Sequence, residues 1–262
     1  MNNLILSPLQ IREVFHLEFL RWFTRKPEAG HSCLKGGVNL RLFFRSIRYS
    51  EDMDMDITGV RVERLKKTVM EILSTRGFSD SLKSFGIERI VSPDLLKAKQ
   101  TETTQRFKIH LLTSGGEDLF TKIEFSRRGL KGSRVVEPVS REILRAYKMA
   151  PLLVPHYAAA SAVRQKIQML AERSVLQARD IFDLFVLSSQ YGGSGREHLQ
   201  MGRAIFKTAH ENIFRVEFPR FRDTVVAYLE AEDQKTYSTP AVWDEIKLKT
   251  AHFLEEFENE NA

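Results

Sequence analysis

Covalent cross-linking is all but missing from this sequence. Cys33 is its one cysteine, so an intrachain disulfide is excluded and a reducing compartment, the cytoplasm, is the expected setting. No uninterrupted apolar run approaches the roughly 20 residues that span a bilayer, so no membrane partner is expected. The opening MNNLILSPLQIREVF lacks the succession of basic, apolar and small-residue zones of a secretory signal. Several chemistries are missing as well. There is no Gly-x-Ser-x-Gly elbow, no P-loop and no dinucleotide-binding glycine fingerprint. His31, His110 and His156 lack metal-ligand spacing, which with a lone cysteine argues against zinc. Internal repeats and low-complexity tracts are also absent.

What is present is an ordinary globular balance, 42% hydrophobic and 28% charged. Disorder is expected only at the acidic end, Glu255 to Ala262. Lysine and arginine number 40 against 34 acidic residues, a net charge of +6. Such a surplus suits a polyanionic partner, because phosphate contacts supply most nonspecific nucleic-acid affinity, and it suits plain solubility equally well.

Hydrophobic periodicity divides the chain in two. Ser7-Pro8 starts a helix with a hydroxyl N-cap and proline in the first turn, and Ile11, Phe15, Phe19, Trp22 and Phe23 form its apolar stripe. A strand is expected over His31 to Leu34, running into Gly36-Gly37, then a short helix over Asn39 to Arg45. Arg61 to Arg76 reads as an amphipathic helix stopped by Gly77. Gln105 to Leu112 and Leu119 to Ser126 read as strands joined by a Gly-Gly hairpin. From Ser140 the pattern is helical: Ser140 to Ala150, Ala159 to Arg173, Leu176 to Ser189, a flexible break at Gly192 to Gly195, then two or three more helices bounded by Pro219 and Pro240. The expected fold is therefore α/β (α+β), a mixed sheet with flanking helices followed by a helical bundle. The boundary is placed in the basic loop Arg127 to Arg134, giving domains 1–135 and 136–262.

The segment DMDMDI, Asp52 to Ile57, alternates strictly, so a strand puts Asp52, Asp54 and Asp56 on one face and Met53, Met55 and Ile57 on the other. Three carboxylates so close repel one another, and a cation offsets that cost. Alternating hard oxygen ligands suit Mg²⁺, completed by substrate phosphates. Asp-x-Asp alone is weak; a solvated edge face would give the same pattern. The glycine pair upstream, opening a helix whose N–H groups can face phosphate, strengthens it.

The stretch LKGGVNLRLFFRSIRYSEDMDMDI, Leu34 to Ile57, resembles the signature of the AbiEii-type nucleotidyltransferase toxins and the related MenT toxins, members of the DNA polymerase β-like superfamily. The matching positions are Lys35, Gly36 and Gly37, then Arg48, Tyr49, Ser50, Glu51, Asp52 and Asp54. A second match is QARDIFDLF, with Arg179, Asp180, Asp183 and Leu184. The resemblance spans roughly Leu34 to Leu187. It implies a nucleotidyltransferase fold, Mg²⁺ (or Mn²⁺) held by Asp52 and Asp54, and a nucleoside triphosphate as substrate. It further implies an RNA acceptor such as the 3′ end of tRNA, and a cognate antitoxin protein. Asp56 lies outside the motif and is left out of the metal set.

The superfamily takes a third carboxylate from a neighbouring strand. Glu124 is the acid that alternates with Ile123 and Phe125, with pairing to Lys122 or Lys108 as its structural alternative. The family more often has aspartate there. Gly36, Gly37 and Ser50 are the expected phosphate cradle. The resemblance makes the Arg179–Asp183 helix a border of the nucleotide pocket, with Arg179, Asp180 and Asp183 able to share a face. It also calls for a phosphate-binding lysine, for which Lys166 aligns best and Lys148 is the rival. Basic residues Arg127, Arg128, Lys131 and Arg134 are candidates for the acceptor RNA. Transfer to a protein or small molecule, or a catalytically silent nucleotide-binding chain, are the other readings.

Overall fold

A computed structural model describes residues 6–94, 99–191 and 201–260. The chain forms two compact units. The first comprises Met1–Phe43 and Tyr49–Tyr157, the second Phe44–Arg48 and Ala158–Ala262.

In the first unit, helix α1 (Pro8–Phe23) starts as expected. The Ser7 hydroxyl accepts the Gln10 N–H while the Gln10 side chain accepts the N–H of Ser7, a reciprocal cap. After a 3-10 turn, β1 (Ser32–Lys35) runs directly into α2 (Gly36–Phe43), so the glycine pair is itself the first step of the helix. Then come β2 (Asp52–Ile57), α3 (Val62–Ser74), α4 (Arg76–Lys83), β3 (Ile87–Val91), β4 (Thr104–Thr113), β5 (Asp118–Ser126), β6 (Arg134–Pro138), α5 (Arg141–Ala146) and β7 (Leu153–Tyr157). Seven strands form one mixed sheet in the order β3-β4-β5-β2-β1-β7-β6. Met53, Met55, Phe107, Ile109, Ile123 and Phe125 are fully buried on one face and pack under α1, with the Phe23 and Phe125 rings 5.5 Å apart. The opposite face carries the alternating polar residues of β2, β4 and β5.

The second unit is helical: α6 (Ala159–Glu172), α7 (Ala178–Gln190), α8 (Arg203–Phe214), α9 (Phe218–Thr224), α10 (Ala231–Tyr237) and α11 (Pro240–Glu260). Its core is aromatic. Phe221 stacks on Trp243 at 4.3 Å, and the Trp243 indole N–H donates to the Val216 carbonyl at 2.9 Å, satisfying the one polar atom that its burial would strand. Among the described residues, no helix is long and apolar enough to cross a membrane.

Several boundaries differ from those read in the sequence. Gly77 does not end a helix: Thr75 turns extended, with φ −70° and ψ 126°, and breaks the run into α3 and α4. Gly77 instead makes room for Trp22, whose ring lies 3.1 Å from where a Cβ would sit. The helix expected over Ser140 to Ala150 stops at Ala146, with Lys148 at φ 54° and the Met149 N–H bonded back to the Leu144 carbonyl. The division into units falls at Tyr157 and not in the basic loop, because β6 and β7 pair into the sheet beside β1. Among the described residues four further α-helices follow α7, and the last continues to Glu260, through most of the acidic end expected to be disordered. The break at Gly192 to Gly195 lies outside the described residues.

Candidate active site

The carboxylates are positioned by strand register. β2 runs parallel to β5 with Asp52 opposite Lys122 and Asp54 opposite Glu124, and β5 runs antiparallel to β4 with Arg106 opposite Glu124. Because every second residue shares a face, Asp52, Asp54, Lys122, Glu124 and Arg106 form one charged surface on the side of the sheet away from the apolar core. Glu124 is thus on the face, and on the strand, that its alternation predicts.

Each acid on this face has a basic neighbour. Lys122 Nζ lies 3.0 Å from Asp52 Oδ2 and 3.8 Å from Glu124 Oε2, and Arg106 Nε donates to Glu124 at 2.7 Å. Lys108, the other partner the sequence offered, is exposed and opposite Lys122. Asp56 is spoken for: Lys35 Nζ is 2.5 Å from one oxygen and the Tyr157 hydroxyl donates to the other at 2.6 Å. Both oxygens of Asp56 thus have a partner within the protein. Asp54 differs from its neighbours. Burial pushes its carboxyl above the usual range; Lys122 and Lys35 pull it back, while Glu124 and Asp52 add to the rise.

The glycine pair abuts the same carboxylate. Gly36 has φ +69°, and a Cβ there would sit 3.3 Å from Asp54 Oδ2, so this turn from strand to helix both needs glycine and lies against the acid. Ser50 reaches the strand through its hydroxyl, which donates to the Asp52 carbonyl at 2.9 Å. The surface therefore joins hard oxygen donors to the start of a helix, the chemistry that a metal–triphosphate complex requires. Among the described residues, no three acidic, histidine or cysteine side chains converge on a common point; the Lys122 ammonium stands in the gap between Asp52 and Glu124. Asp52, Asp54 and Glu124 share one face and offer the type of oxygen donor that a divalent cation takes.

The helical unit holds a separate charged cluster. Lys166 Nζ lies 2.9 Å from Asp180 Oδ1 and 2.6 Å from Asp183 Oδ2. Arg48 grips Asp183 with contacts of 3.1 and 3.2 Å from Nη2, and Arg173 stands 3.3 Å from Asp180. Asp180 and Asp183 are fully buried. Burial alone would lower the Lys166 ammonium, but the two aspartates raise it above an ordinary lysine; burial would raise Asp183, but Arg48 and Lys166 hold it below an ordinary carboxylate. The structure brings Lys166, Asp180 and Asp183 together. Arg179 does not join them: it points to solvent, because one residue's turn of the helix separates it from Asp180. The rival Lys148 is exposed, in the turn after α5.

Other candidates resolve simply. Cys33 is buried and its thiol is pushed up to about 12 by that burial, which makes it inert. His156 is buried, stacked on Phe43 at 3.6 Å. In the basic loop, Arg127 bonds Gln105 and Arg134 bonds the Ser32 carbonyl, whereas Arg128 is exposed. Sequence reasoning named Lys122 only as a structural partner of Glu124 and Arg48 only as a motif position, and it passed over Arg106. Lys122 and Arg106 alternate on strands with Glu124 and Lys108, so strand pairing would have found them; Arg48 stands in the motif, but its partner is 135 residues away.

The family model for the nucleotidyl transferase AbiEii toxin of type IV toxin–antitoxin systems matches residues 18–259. Among curated proteins nothing matches. The fold is similar to that of MenT4, a nucleotidyltransferase toxin from Mycobacterium tuberculosis, with a TM-score of 0.60 at 17% identity, covering 95% of this chain and 84% of that one. It is similar also to JHP933 from Helicobacter pylori, with a TM-score of 0.54 at 18% identity, covering 95% and 91%.

Proposed function

The chain belongs to the AbiEii nucleotidyl transferase toxin family, and from that premise we propose that it transfers a nucleoside monophosphate from a nucleoside triphosphate to RNA, at the 3′ end of tRNA. The observation that carries the reading is the register of Asp54 opposite Glu124, with Asp52 on the same face and Gly36 against Asp54. Asp52 and Asp54, with Glu124 as third carboxylate, would hold a divalent cation. When bound, Mg²⁺ or Mn²⁺ supplies charge neutralisation at the phosphates and a more acidic attacking hydroxyl. The bond that forms joins the acceptor oxygen to the α-phosphorus; the α–β bridging bond breaks in line, and pyrophosphate leaves.

The residues of the chain supply the rest. The N–H groups that open α2 at Gly36 and Gly37 would receive the phosphates, and the Ser50 hydroxyl bonds the Asp52 carbonyl. Lys166, held by Asp180 and Asp183, is the proposed phosphate-binding lysine. Asp180 and Asp183 orient that ammonium, and Arg179 is the exposed cation of the same helix. Arg128 and Lys131, exposed in the basic loop, are proposed contacts for the acceptor. The family membership supports a protein antitoxin as partner, and the lone buried cysteine supports a cytoplasmic setting.

The test is incubation of the full chain with each α-labelled nucleoside triphosphate, Mg²⁺ and total tRNA, beside Asp54→Asn. Label in tRNA with the intact chain and none with the variant is the expected result. Label on protein, on a small molecule, or equally with both chains would sink the proposal.

A further inference from the structure

The polar face of the sheet continues past the carboxylates, and strand register sets its side chains in rows across β3, β4 and β5. Val91 stands opposite His110, and His110 opposite Phe120. Two residues along, Lys108 faces Lys122; two further, Arg106 faces Glu124. Each step is about 7 Å, and Asp52 and Asp54 join the second and third rows from β2. The first row is open: Val91 is 42% and Phe120 41% exposed, and the His110 side chain 46%. One exposed ring calls for no explanation, but this row is also held in place. The His110 and Phe120 rings meet edge to face at 5.5 Å, Asp118 lies 2.9 Å from His110 Nδ1, and Arg12 Nε donates to the Phe120 carbonyl at 2.8 Å. The second row sets two lysines against each other, a pairing that repulsion disfavours. Lys122 is offset by Asp52; Lys108 is exposed and has no acidic partner among the described residues.

We propose that this face receives the single-stranded 3′ end of the RNA acceptor: a base next to that end stacks on Phe120 and His110, the phosphate after it meets Lys108, and the terminal hydroxyl faces the carboxylate row. The inference rests on the nucleotidyl-transfer reading and gives the acceptor its place in it. Aromatic ring, cation and carboxylate succeed one another along the strands, in the order that base, phosphate and reacting hydroxyl follow along a nucleic-acid chain. Only an unpaired strand offers the face of a base to a side-chain ring, since a duplex keeps its bases stacked. The sheet order favours the acceptor over the triphosphate as occupant. The strands run β4-β5-β2-β1 through this region, so the glycine pair that follows β1 lies on the other side of Asp54 from the aromatic row. A triphosphate at Gly36 and an RNA strand over β4 and β5 approach the carboxylates from opposite sides.

The test reads stacking and does not depend on turnover. The full chain is titrated with a single-stranded oligoribonucleotide that carries 2-aminopurine next to its 3′ end and a dye at its 5′ end, so that quenching reports the base and anisotropy reports binding. The wild type is expected to quench the 2-aminopurine. Phe120→Leu should lose the quench and bind about 5- to 100-fold more weakly, the range that one stacked base supplies, while Phe120→Trp keeps both. Lys108→Ala should lower the slope of affinity against salt by about one. Circular dichroism checks the fold, and Phe120→Tyr and His110→Ala stand in if Phe120→Leu is unfolded, the first keeping the quench and the second weakening it. Wild-type affinity and quench in the folded Phe120→Leu chain would overturn the proposal. So would equal weakening of a blunt RNA duplex, or a quench that added nucleoside triphosphate abolishes, which would give the row to the substrate base. A chain that stacks the oligonucleotide but transfers no label would sink the transfer reading and leave the platform standing.

Discussion

At the scale of single residues, Asp54 bears the conflict on which the reading depends. Its carboxyl is raised by burial and by Glu124 and Asp52, with Lys122 and Lys35 opposing. An acid whose folded pKa lies above its unfolded value binds more protons when folded. Stability is therefore lost as pH rises through that window, and the loss persists at neutral pH. Asp54→Asn should abolish transfer and yet melt higher than wild type at pH 7, by the order of 1 kcal/mol typical of relieving a functional site. A lower melting temperature would refute the cost of burying this carboxylate. Gly36 tests the same carboxylate from the backbone. Gly36→Ala must accept φ +69° and a Cβ 3.3 Å from Asp54 Oδ2, so a stability loss above about 1 kcal/mol is expected, with weaker Mn²⁺ binding. Unchanged urea unfolding would contradict it. Much of this was legible in the sequence. The alternation of DMDMDI fixes which side chains share a face, and glycine beside it signals a special turn. That Asp56 belongs to Lys35 and Tyr157 was not legible, because Tyr157 comes from a strand 101 residues away.

At the scale of elements, α7 shows where helical periodicity stops being informative. Spacing allowed Arg179, Asp180 and Asp183 to share a face, but only the two aspartates are buried. Which side of a polar stripe turns inward depends on the cations waiting there, and these come from α6 and from the segment Phe44–Arg48. Asp183→Ala should cost about 3–5 kcal/mol, because it leaves Arg48 and Lys166 short of a counter-charge in a dry place. Arg179→Ala should stay within about 0.5 kcal/mol. Denaturant titration compares them, and similar losses would show the cluster to be worth no more than a surface pair. The acid limb gives an independent check. The folded carboxyl of Asp183 is held below its ordinary value, so its contribution is present above the ordinary carboxylate pKa and lost as pH falls through the folded one. Asp183→Asn should flatten the acid-induced loss of stability. The strands β6 and β7 escaped sequence reading because β7 contains Pro155 and β6 ends at Pro138, residues that argue against strands; β6 does lie at the sheet edge, whereas β7 is paired on both sides, to β1 and β6.

At the scale of the whole molecule, the chain is not two consecutive domains. Phe44–Arg48 belongs to the helical unit although it lies between α2 and β2 of the sheet unit. A boundary in the basic loop was the natural inference from local composition, since glycine and charge mark linkers. No local signal reports that five residues far upstream complete a helical core. The consequence is specific. Residues 158–262 alone retain Asp183 and Lys166 but lack Arg48, which contacts Asp183 through Nη2 at 3.1 and 3.2 Å. Losing one partner of a fully buried pair costs about 3–5 kcal/mol, a large share of the total stability of a small domain. This fragment should therefore melt without a cooperative transition, or well below the full chain. Circular dichroism melts of the fragment and the full chain decide it: a 158–262 fragment as stable as the full chain would show that Arg48 is dispensable to the helical unit.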